Sequence, residues 1–177
     1  MKQSEERRGE ALRGLMRHVA YPVAIVTTAA GEHMRGITIG SFTSLSMNPP
    51  LISFNLEKTT QMHPLLAKAS HFAVHIPAAD QADLCDRFSL PDFSGAEQFD
   101  SVAHRRDEGG LPILEGAAAV IHCRKYNMAE GGDHSVVMGE VLHVEQNESA
   151  LPGLLYYMGG YHKLGDRLRS RITAKTN

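Results

Sequence analysis

The stretch from Gly36 to Gln61 constrains the fold of this chain more than any other part of the sequence. Its first half is rich in β-branched and hydroxyl residues, which favour an extended strand with polar side chains on one face. An Asn-Pro-Pro turn follows at 48–50, because two successive prolines lack the N–H groups that a strand ladder needs. The apolar run Leu51–Phe54 then predicts a second strand.

A polar loop ends this stretch and holds a lysine beside hydroxyl side chains. Lys58 is followed by Thr59, Thr60 and Gln61. The hydroxyl residues of the preceding strand are Thr38, Ser41, Thr43, Ser44 and Ser46. Several small donors and one cation suit a bound phosphate, whose oxygens accept charge-assisted hydrogen bonds worth roughly 1.5–3 kcal/mol each. The alternative is structural, since serine and threonine are ordinary on the solvent face of a strand.

Composition indicates an ordinary globular chain without a strongly charged partner. The 177 residues suffice for one domain, and a net charge of −2 gives no reason to expect nucleic acid or an anionic membrane. No apolar run approaches the roughly 20 residues of a membrane span, and the N-terminus lacks the apolar core of a secretory signal. We therefore expect a cytoplasmic protein, with no nucleic acid and no membrane as partner. Cys85 and Cys123 are expected to be free, buried thiols.

Helical spacing of apolar residues predicts one long helix and three short ones. The long helix is expected over residues 4–19, where Leu12, Leu15, Met16 and Val19 share one face. The short helices are expected at His63–Ala69, at Asp80–Phe88 and around Glu97–Val102. All four would be peripheral to a sheet.

Two of the short helices carry more specific expectations. In the helix at 63–69, Leu65 and Leu66 should face the core, and Asp80 should cap the N-terminus of the next helix. The segment 89–110, rich in proline, glycine, serine and aspartate, is expected to be an excursion outside the sheet.

The remaining patterns predict strands. Val23–Thr28 is a nearly continuous β-type run, and His71–Ile76 alternates between apolar and polar residues. Ala117–Lys125 and Ser135–Glu145 flank a glycine-rich turn and should pair as a hairpin. Hairpins in sequence favour an antiparallel barrel or sandwich over a doubly wound sheet.

Several cofactor motifs are absent from the sequence. There is no Gly-x-Gly pair, so the dinucleotide fingerprint of a Rossmann unit is missing, and no Walker loop or His-Glu-x-x-His segment occurs. His71 and His75 share a strand face but stand about 13 Å apart at 3.3 Å per residue, too far to share one ion. We therefore expect no metal site, and any nicotinamide would be a passing substrate.

A second informative turn precedes the last long strand. Gly131 and Gly132 are followed by Asp133 and His134. A histidine beside flexible glycines at a strand start can reach into a pocket, where it could donate a hydrogen bond or a proton. Alternatively, Asp133 only fixes the turn and His134 faces water. The residues alone leave both possibilities open.

Three segments carry a resemblance to a known family. The first two are Pro-Val-Ala-Ile-Val-Thr-Thr at 22–28 and Gly36-x-Thr38-x-x-Ser41-Phe42-x-Ser44-Leu45-Ser46-x-x-Pro49-Pro50-Leu51. The third is Gly132-Asp133-His134-x-x-x-x-Gly139-Glu140-Val141. In these segments, and over about residues 16–164, the chain resembles the flavin reductase-like family with the FMN-binding split barrel. Gln98 departs from that pattern, since relatives often carry lysine there.

The resemblance implies a fold and a site. The implied fold is mainly β: an antiparallel, Greek-key-like split β-barrel with peripheral helices, formed by residues 1–177 as one domain. An N-terminal helix at 1–19 and a basic tail at 165–177 would flank it. The residues implied to bind FMN or FAD are Thr38, Ser41, Phe42, Thr43, Ser44, Asn55, Lys58, Thr59, Thr60, Gln61, Asp133 and Tyr161. His134 is the implied catalytic residue, which would orient the nicotinamide or the edge of the flavin ring.

The resemblance also implies hydride transfer from NADH or NADPH to the flavin. Such an NAD(P)H:flavin oxidoreductase would be a homodimer with the flavin at the subunit seam, and it would supply reduced flavin to a partner monooxygenase. Two alternatives stay open. One is a deazaflavin-dependent or pyridoxamine-phosphate-type oxidase on the same fold, and the other is a non-catalytic flavin- or haem-binding module. The choices between FMN and FAD, and between NADH and NADPH, stay open too.

Overall fold

Strands are the main regular element of the structure, a computed structural model that describes residues 2–91, 93–149 and 153–165. Its helices are α1 (Lys2–Met16), α2 (Met62–Lys68), α3 (Ala82–Ser89) and α4 (Gly95–Phe99). Its first six strands are β1 (Tyr21–Pro22), β2 (Ala24–Ala30), β3 (His33–Ile39), β4 (Thr43–Met47), β5 (Pro50–Glu57) and β6 (His71–Ile76). The others are β7 (His104–Arg106), β8 (Pro112–Leu114), β9 (Ala119–Gly131), β10 (His134–Gln146), β11 (Leu154–Tyr157) and β12 (Gly160–Lys163).

Seven antiparallel strands form the main sheet in the order β3-β2-β6-β9-β10-β5-β4. Its two outer strands, β3 and β4, are joined only by residues 40–42. That link reaches about 14 Å at most, whereas the outer strands of a flat seven-stranded sheet would lie about 28 Å apart. The sheet must therefore curl until its edges approach each other. The predicted mainly β, antiparallel split barrel is confirmed.

The inside of the curled sheet is an apolar core built by alternation along the strands. Ala24 and Val26 of β2 point inward, and Phe54 and Phe72 meet edge to face with their ring centroids 5.5 Å apart. These side chains are completely buried. A Cβ added to Gly139 of β10 would overlap the Phe72 ring, so this strand can cross the aromatic pair only with glycine there.

The outside of β2 and β3 is covered by α3, α4 and β8. Ile25, which alternates with the inward residues, packs with Cys85 and Phe88 of α3, Phe99 of α4 and Leu114 of β8 in a second cluster. The segment 89–110 thus lies outside the barrel, as predicted, and contributes to this packing.

Both cysteines are free and buried, as predicted from their positions on an apolar helix face and in a strand. Burial raises the pKa of the Cys85 thiol to about 12, and the neighbouring Asp86 acts in the same direction. Burial also raises the pKa of the Cys123 thiol to about 12. Both side chains are therefore protonated, inert parts of the core at neutral pH.

Several local predictions were wrong at helix ends. Helix α3 begins at Ala82 with Gln81 at its N-cap, and Asp80 does not cap it; the Gln81 amide oxygen instead accepts a hydrogen bond from the backbone N–H of Ala78 at 2.9 Å. In α2, Met62 and Leu66 are buried while Leu65 is only half-buried.

The N-terminal helix differs from its prediction in length and in burial. It ends at Met16 rather than at residue 19, and Leu12 and Leu15 are 59% and 65% exposed. Its apolar face is therefore uncovered in the single chain. No helix among the described residues is long and apolar enough to cross a membrane. The basic tail predicted at 165–177 lies outside the described residues from 166 onward.

His75 of β6 is completely buried between the barrel and β8. Its Nε2 accepts a hydrogen bond from the backbone N–H of Leu114 at 3.0 Å, and its Nδ1 lies 3.1 Å from the carbonyl oxygen of Ile25. Because Nε2 accepts, the ring is neutral and Nδ1 donates to Ile25. Burial, the main cause, lowers the pKa of His75 to about 4. His71, on the same strand face, is exposed.

We expect the free energy of unfolding to fall as the pH drops from about 6.5 towards 4, because the unfolded state binds a proton that buried His75 excludes. The shift corresponds to roughly 3 kcal/mol. Denaturant unfolding at a series of pH values measures it. A His75→Gln variant, whose amide can donate and accept without titrating, should lose this part of the pH dependence. An identical pH profile in both proteins would contradict the assignment.

Candidate active site at the barrel seam

A cavity of about 440 Å³ lies at the seam where the two ends of the curled sheet approach each other. Its lining residues are Met16, Tyr21, Ile37, Thr38, Ile39, Gly40, Ser41, Asn55, Leu56, Glu57, Thr60 and His134. We call it the seam cavity. Five residues predicted for the site from the sequence line it: Thr38, Ser41, Asn55, Thr60 and His134.

A second cavity, of about 420 Å³, lies on the other side of the β3 end and is called here the hairpin cavity. It is lined by Val23, Thr38, Ile39, Gly40, Asp86, Ser89, Tyr156, Gly159, Gly160 and Tyr161. Thr38, Ile39 and Gly40 line both cavities, so the two adjoin at the end of β3. Tyr161, predicted from the sequence, is on the far wall of the hairpin cavity.

Hydroxyl groups along the seam are held by the protein and keep free acceptor lone pairs. Thr38 Oγ1 donates to the carbonyl oxygen of Cys85 at 2.6 Å. Ser41 Oγ accepts from the backbone N–H of Asn55 at 2.9 Å, which ties the β3–β4 link to β5. Fixed hydroxyl oxygens of this kind can accept hydrogen bonds from a ligand without reorganising.

Three predicted residues on the link and β4 line neither cavity. Phe42 is half-buried and packs against the barrel core, which fixes the link. Thr43 and Ser44 are exposed, and the Thr43 hydroxyl donates to the carbonyl oxygen of Ser44 at 3.3 Å. Their positions beside Ser41 keep them at the rim of the seam.

The polar loop after β5 holds carboxylates as well as the predicted lysine. Lys58 Nζ forms an ion pair with Glu130 and also donates to the carbonyl oxygen of Gly132 at 2.7 Å. The Thr59 hydroxyl donates to Glu57 Oε1 at 2.7 Å. Lys58 holds the pKa of the Glu130 carboxyl below its usual range, so this partner is charged.

The other two predicted residues of this loop, Thr60 and Gln61, differ in their contacts. The Thr60 hydroxyl donates to the carbonyl oxygen of Glu57 at 2.7 Å. Gln61 is exposed and directly precedes α2. The loop is thus a compact polar corner in which Lys58, Thr59 and Thr60 already have partners within the protein.

His134 is half-buried at the start of β10 and lines the seam cavity. Its Nδ1 lies 2.8 Å from Oδ1 of the exposed Asp133 at the hairpin turn. A carboxylate only accepts, so Nδ1 donates and Nε2 is left for a ligand. This hydrogen bond from His134 holds the pKa of the Asp133 carboxyl below its usual range. Asp133 therefore orients His134 rather than lining the cavity itself.

Tyr161 lies on β12 with its ring centroid 5.4 Å from that of Tyr156, in an edge-to-face arrangement. Burial raises the pKa of the Tyr161 phenol, and nearby Cys85 and Asp86 act in the same direction. The phenol is therefore neutral, and the Asp86 carboxylate is its hydrogen-bond partner.

The donor set of the combined cavities fits the ring and ribityl chain of a flavin. Met16, Tyr21 and the half-buried Ile37 supply apolar walls for a flat ring, and the Ser41 hydroxyl lies in the same cavity. The Thr38 hydroxyl faces the α3 side of β3. The phosphate end fits only in exchange, because a phosphate would have to displace a carboxylate from the lysine. Among the described residues, no three His, Cys, Asp or Glu side chains come together as metal ligands.

Sequence reasoning missed part of this site. Glu57 and Glu130 were visible in the sequence, but nothing local indicated that they would meet Lys58 and Thr59. Tyr21 enters the site only because β1 pairs with β11. A search for carboxylates flanking the predicted cation would have found Glu57, which directly precedes Lys58.

The chain is similar to flavin reductases over most of its length. A family model described as "Flavin reductase like domain" matches residues 16–165. A flavin reductase of Pseudomonas putida is 36% identical over 146 residues, 80% of this chain and 82% of the relative. The solved structure of the Streptomyces globisporus NADH:FAD oxidoreductase SgcE6 with NAD and FAD fragments is 31% identical, with a TM-score of 0.81, covering 89% of this chain and 93% of that one.

A second solved structure is BorF, described as the flavin reductase component of a bacterial two-component tryptophan halogenase. It is 32% identical, with a TM-score of 0.77, and the match covers 90% of this chain and 99% of that chain. The family match agrees with the curled antiparallel sheet. This chain belongs to the flavin reductase-like family.

Proposed function

We propose that the protein is a flavin reductase that uses NADH or NADPH to reduce FMN or FAD. The observation that carries the proposal is the pair of cavities, seam and hairpin, that adjoin at Thr38–Gly40. Their lining combines apolar side chains with hydroxyl and amide groups, as a flat ring with polar edges requires, and also includes the carboxyl groups of Glu57 and Asp86. The relatives named above, which match most of the chain, are flavin reductases and an NADH:FAD oxidoreductase.

The chemistry of the reaction comes from its two nucleotides: a flavin bound at the seam supplies the hydride acceptor, and the nicotinamide supplies the hydride. In the proposal, Thr38, Ser41 and Asn55 bind and orient the ring and its side chain. Phe42, Thr43 and Ser44 form the rim with their backbone. Such a transfer depends on closeness and alignment more than on an acid–base pair.

The remaining predicted residues also have assigned roles in this proposal. His134 presents Nε2 to the nicotinamide or to the flavin edge, while Asp133 fixes the orientation of the imidazole. The neutral Tyr161 closes the far side of the hairpin cavity. Lys58, Thr59, Thr60 and Gln61 receive the phosphate, with Lys58 exchanging Glu130 for it.

The ion pair between Lys58 and Glu130 favours a flavin that binds and dissociates in each cycle over one that stays bound to the protein. Exchanging one partner of Lys58 for another gains less than filling an empty cationic site. We infer that reduced flavin dissociates and is used by a separate flavin-dependent monooxygenase. The relative BorF is likewise described as the reductase component of a two-component system, a tryptophan halogenase. We further propose a cytoplasmic homodimer, which would cover the exposed Leu12, Leu15 and Met47.

The proposal predicts that the purified protein oxidises NADH or NADPH only when FMN or FAD is added. The nicotinamide absorbance is followed for each of the four pairings, with heat-denatured protein as the control. Flavin binding without any nicotinamide oxidation would instead identify a non-catalytic flavin module. Absence of both binding and oxidation in all pairings would reject the proposed function.

His134→Ala should lower kcat/KM for NADH by about tenfold or more, since a positioning contact is lost, and should change flavin affinity little. Steady-state rates and flavin fluorescence titration measure the two effects separately. His33→Ala is the matched control, because His33 is exposed at the opposite end of β3. A loss of flavin affinity as large as the loss of turnover would refute the assigned role.

Glu130→Gln should tighten FMN binding severalfold, because it removes the carboxylate that competes with the phosphate for Lys58. Lys58→Gln should weaken FMN binding by about tenfold, because it removes the positive charge that attracts the phosphate. Titration of FMN into each variant measures the dissociation constant. Riboflavin, which lacks the phosphate, is the matched control and should bind all three proteins alike. Equal effects of each variant on riboflavin and FMN would show that the phosphate binds elsewhere.

A further inference from the structure

A third cavity, of about 320 Å³, lies between the end of α1 and the β11–β12 hairpin. We call it the α1 groove. Its polar lining consists of Arg13, Arg17, Tyr21, Tyr156 and Tyr157. Arg13 and Arg17 line neither the seam cavity nor the hairpin cavity, so the roles proposed for the seam leave them unexplained.

The α1 groove adjoins both cavities of the candidate active site and shares lining residues with each. Met16 and Tyr21 line the groove and also the seam cavity. Tyr156 and Gly159 line the groove and also the hairpin cavity. A ligand whose ring occupies the end of β3 can therefore extend past Tyr21 and Tyr156 into the groove.

The two arginines form no ion pair among the described residues, although the charge of Arg13 contributes, after the hydrogen bond from His134, to lowering the pKa of the Asp133 carboxyl. Arg13 and Arg17 are four residues apart and stay on one helical face, since the Arg17 N–H donates to the Arg13 carbonyl oxygen at 3.3 Å. Within the described ranges, neither guanidinium has a carboxylate within 4.0 Å, whereas Arg8 on the same helix pairs with Glu5 at 3.9 Å. In a chain of net charge −2, this leaves a local cationic pair.

The groove is built by contacts that join its two walls. The Arg17 carbonyl oxygen accepts a hydrogen bond from the backbone N–H of Met158 at 3.2 Å. Tyr21 on β1 is the register partner of Tyr156 on β11. The end of α1 is thereby fixed against the hairpin, and the arginines are held beside the tyrosine rings.

We propose that the α1 groove binds the adenosine-diphosphate half of a dinucleotide whose reactive ring lies at the seam. Guanidinium groups recognise diphosphates through paired, charge-assisted hydrogen bonds, and aromatic faces stack on adenine. FAD and the nicotinamide dinucleotides share this half, whereas FMN lacks it. The proposal rests on the proposed function, because it takes the seam as the place of the reactive ring.

The first test is binding of ADP to the purified protein by isothermal titration calorimetry. Wild-type protein should bind ADP, and the Arg13→Gln/Arg17→Gln double variant should bind it at least about tenfold more weakly. Arg7→Gln, an exposed position on the same helix, is the matched control and should bind like the wild type. The titration needs neither flavin nor turnover, so it stays informative even if the protein oxidises no nicotinamide.

The second test distinguishes the two sources of the adenosine-diphosphate half. If the Arg13→Gln/Arg17→Gln variant binds FAD about tenfold more weakly than the wild type and binds FMN equally well, the groove is assigned to FAD. If the double variant, assayed with FMN as the flavin, has a KM for NADH or NADPH about tenfold higher and an unchanged kcat, the groove is assigned to the nicotinamide dinucleotide. Equal ADP affinity in the double variant and the wild type, or an equal loss in Arg7→Gln, would overturn the proposal. So would unchanged affinity for both dinucleotides.

Discussion

The short link between β3 and β4 is the constraint on which the rest of the structure depends. Because residues 40–42 must join the two ends of a seven-stranded sheet, the sheet curls until those ends approach. They are tied there by a hydroxyl contact between Ser41 and Asn55 rather than by a full strand ladder. The seam therefore keeps open space beside fixed polar groups. A closed ladder would have filled this space with backbone hydrogen bonds, so the incomplete closure is what provides the site.

Features that depend on neighbouring residues could be predicted from the sequence, and features that depend on distant pairing could not. The Asn-Pro-Pro turn and the β9–β10 hairpin follow from local residue types and were confirmed. Alternation placed His75 on the outer face of β6 but could not reveal that β8 covers that face. Tyr21 joins the site only through pairing with Tyr156, far along the chain. No local pattern encodes that contact.

The polar loop after β5 illustrates the difference between an inventory of residues and their partners. The sequence pattern predicted one cation among hydroxyls, and those residues are present. Their bonds, however, go to Glu57 and Glu130, so the charge of Lys58 is already balanced in the absence of a ligand. If a phosphate binds at this corner as proposed, it competes with Glu130 for Lys58, and the net gain is the difference between two ion pairs in a partly solvated place. The proposal therefore implies a modest contribution of the phosphate to affinity.

The barrel seam and the α1 groove are built from different parts of the chain. The barrel seam fixes the surroundings of a ring, because Thr38 and Ser41 are held by the sheet and the link. The α1 groove, in contrast, is made of appended elements that meet through the Tyr21–Tyr156 pairing and the contact between Arg17 and Met158. If the groove has the proposed role, changes at Arg13, at Arg17 or in the β11–β12 hairpin, none of which lines the seam cavity, would alter how long a nucleotide the protein accepts. Specificity would then vary on the appended elements while the barrel keeps the geometry of the seam.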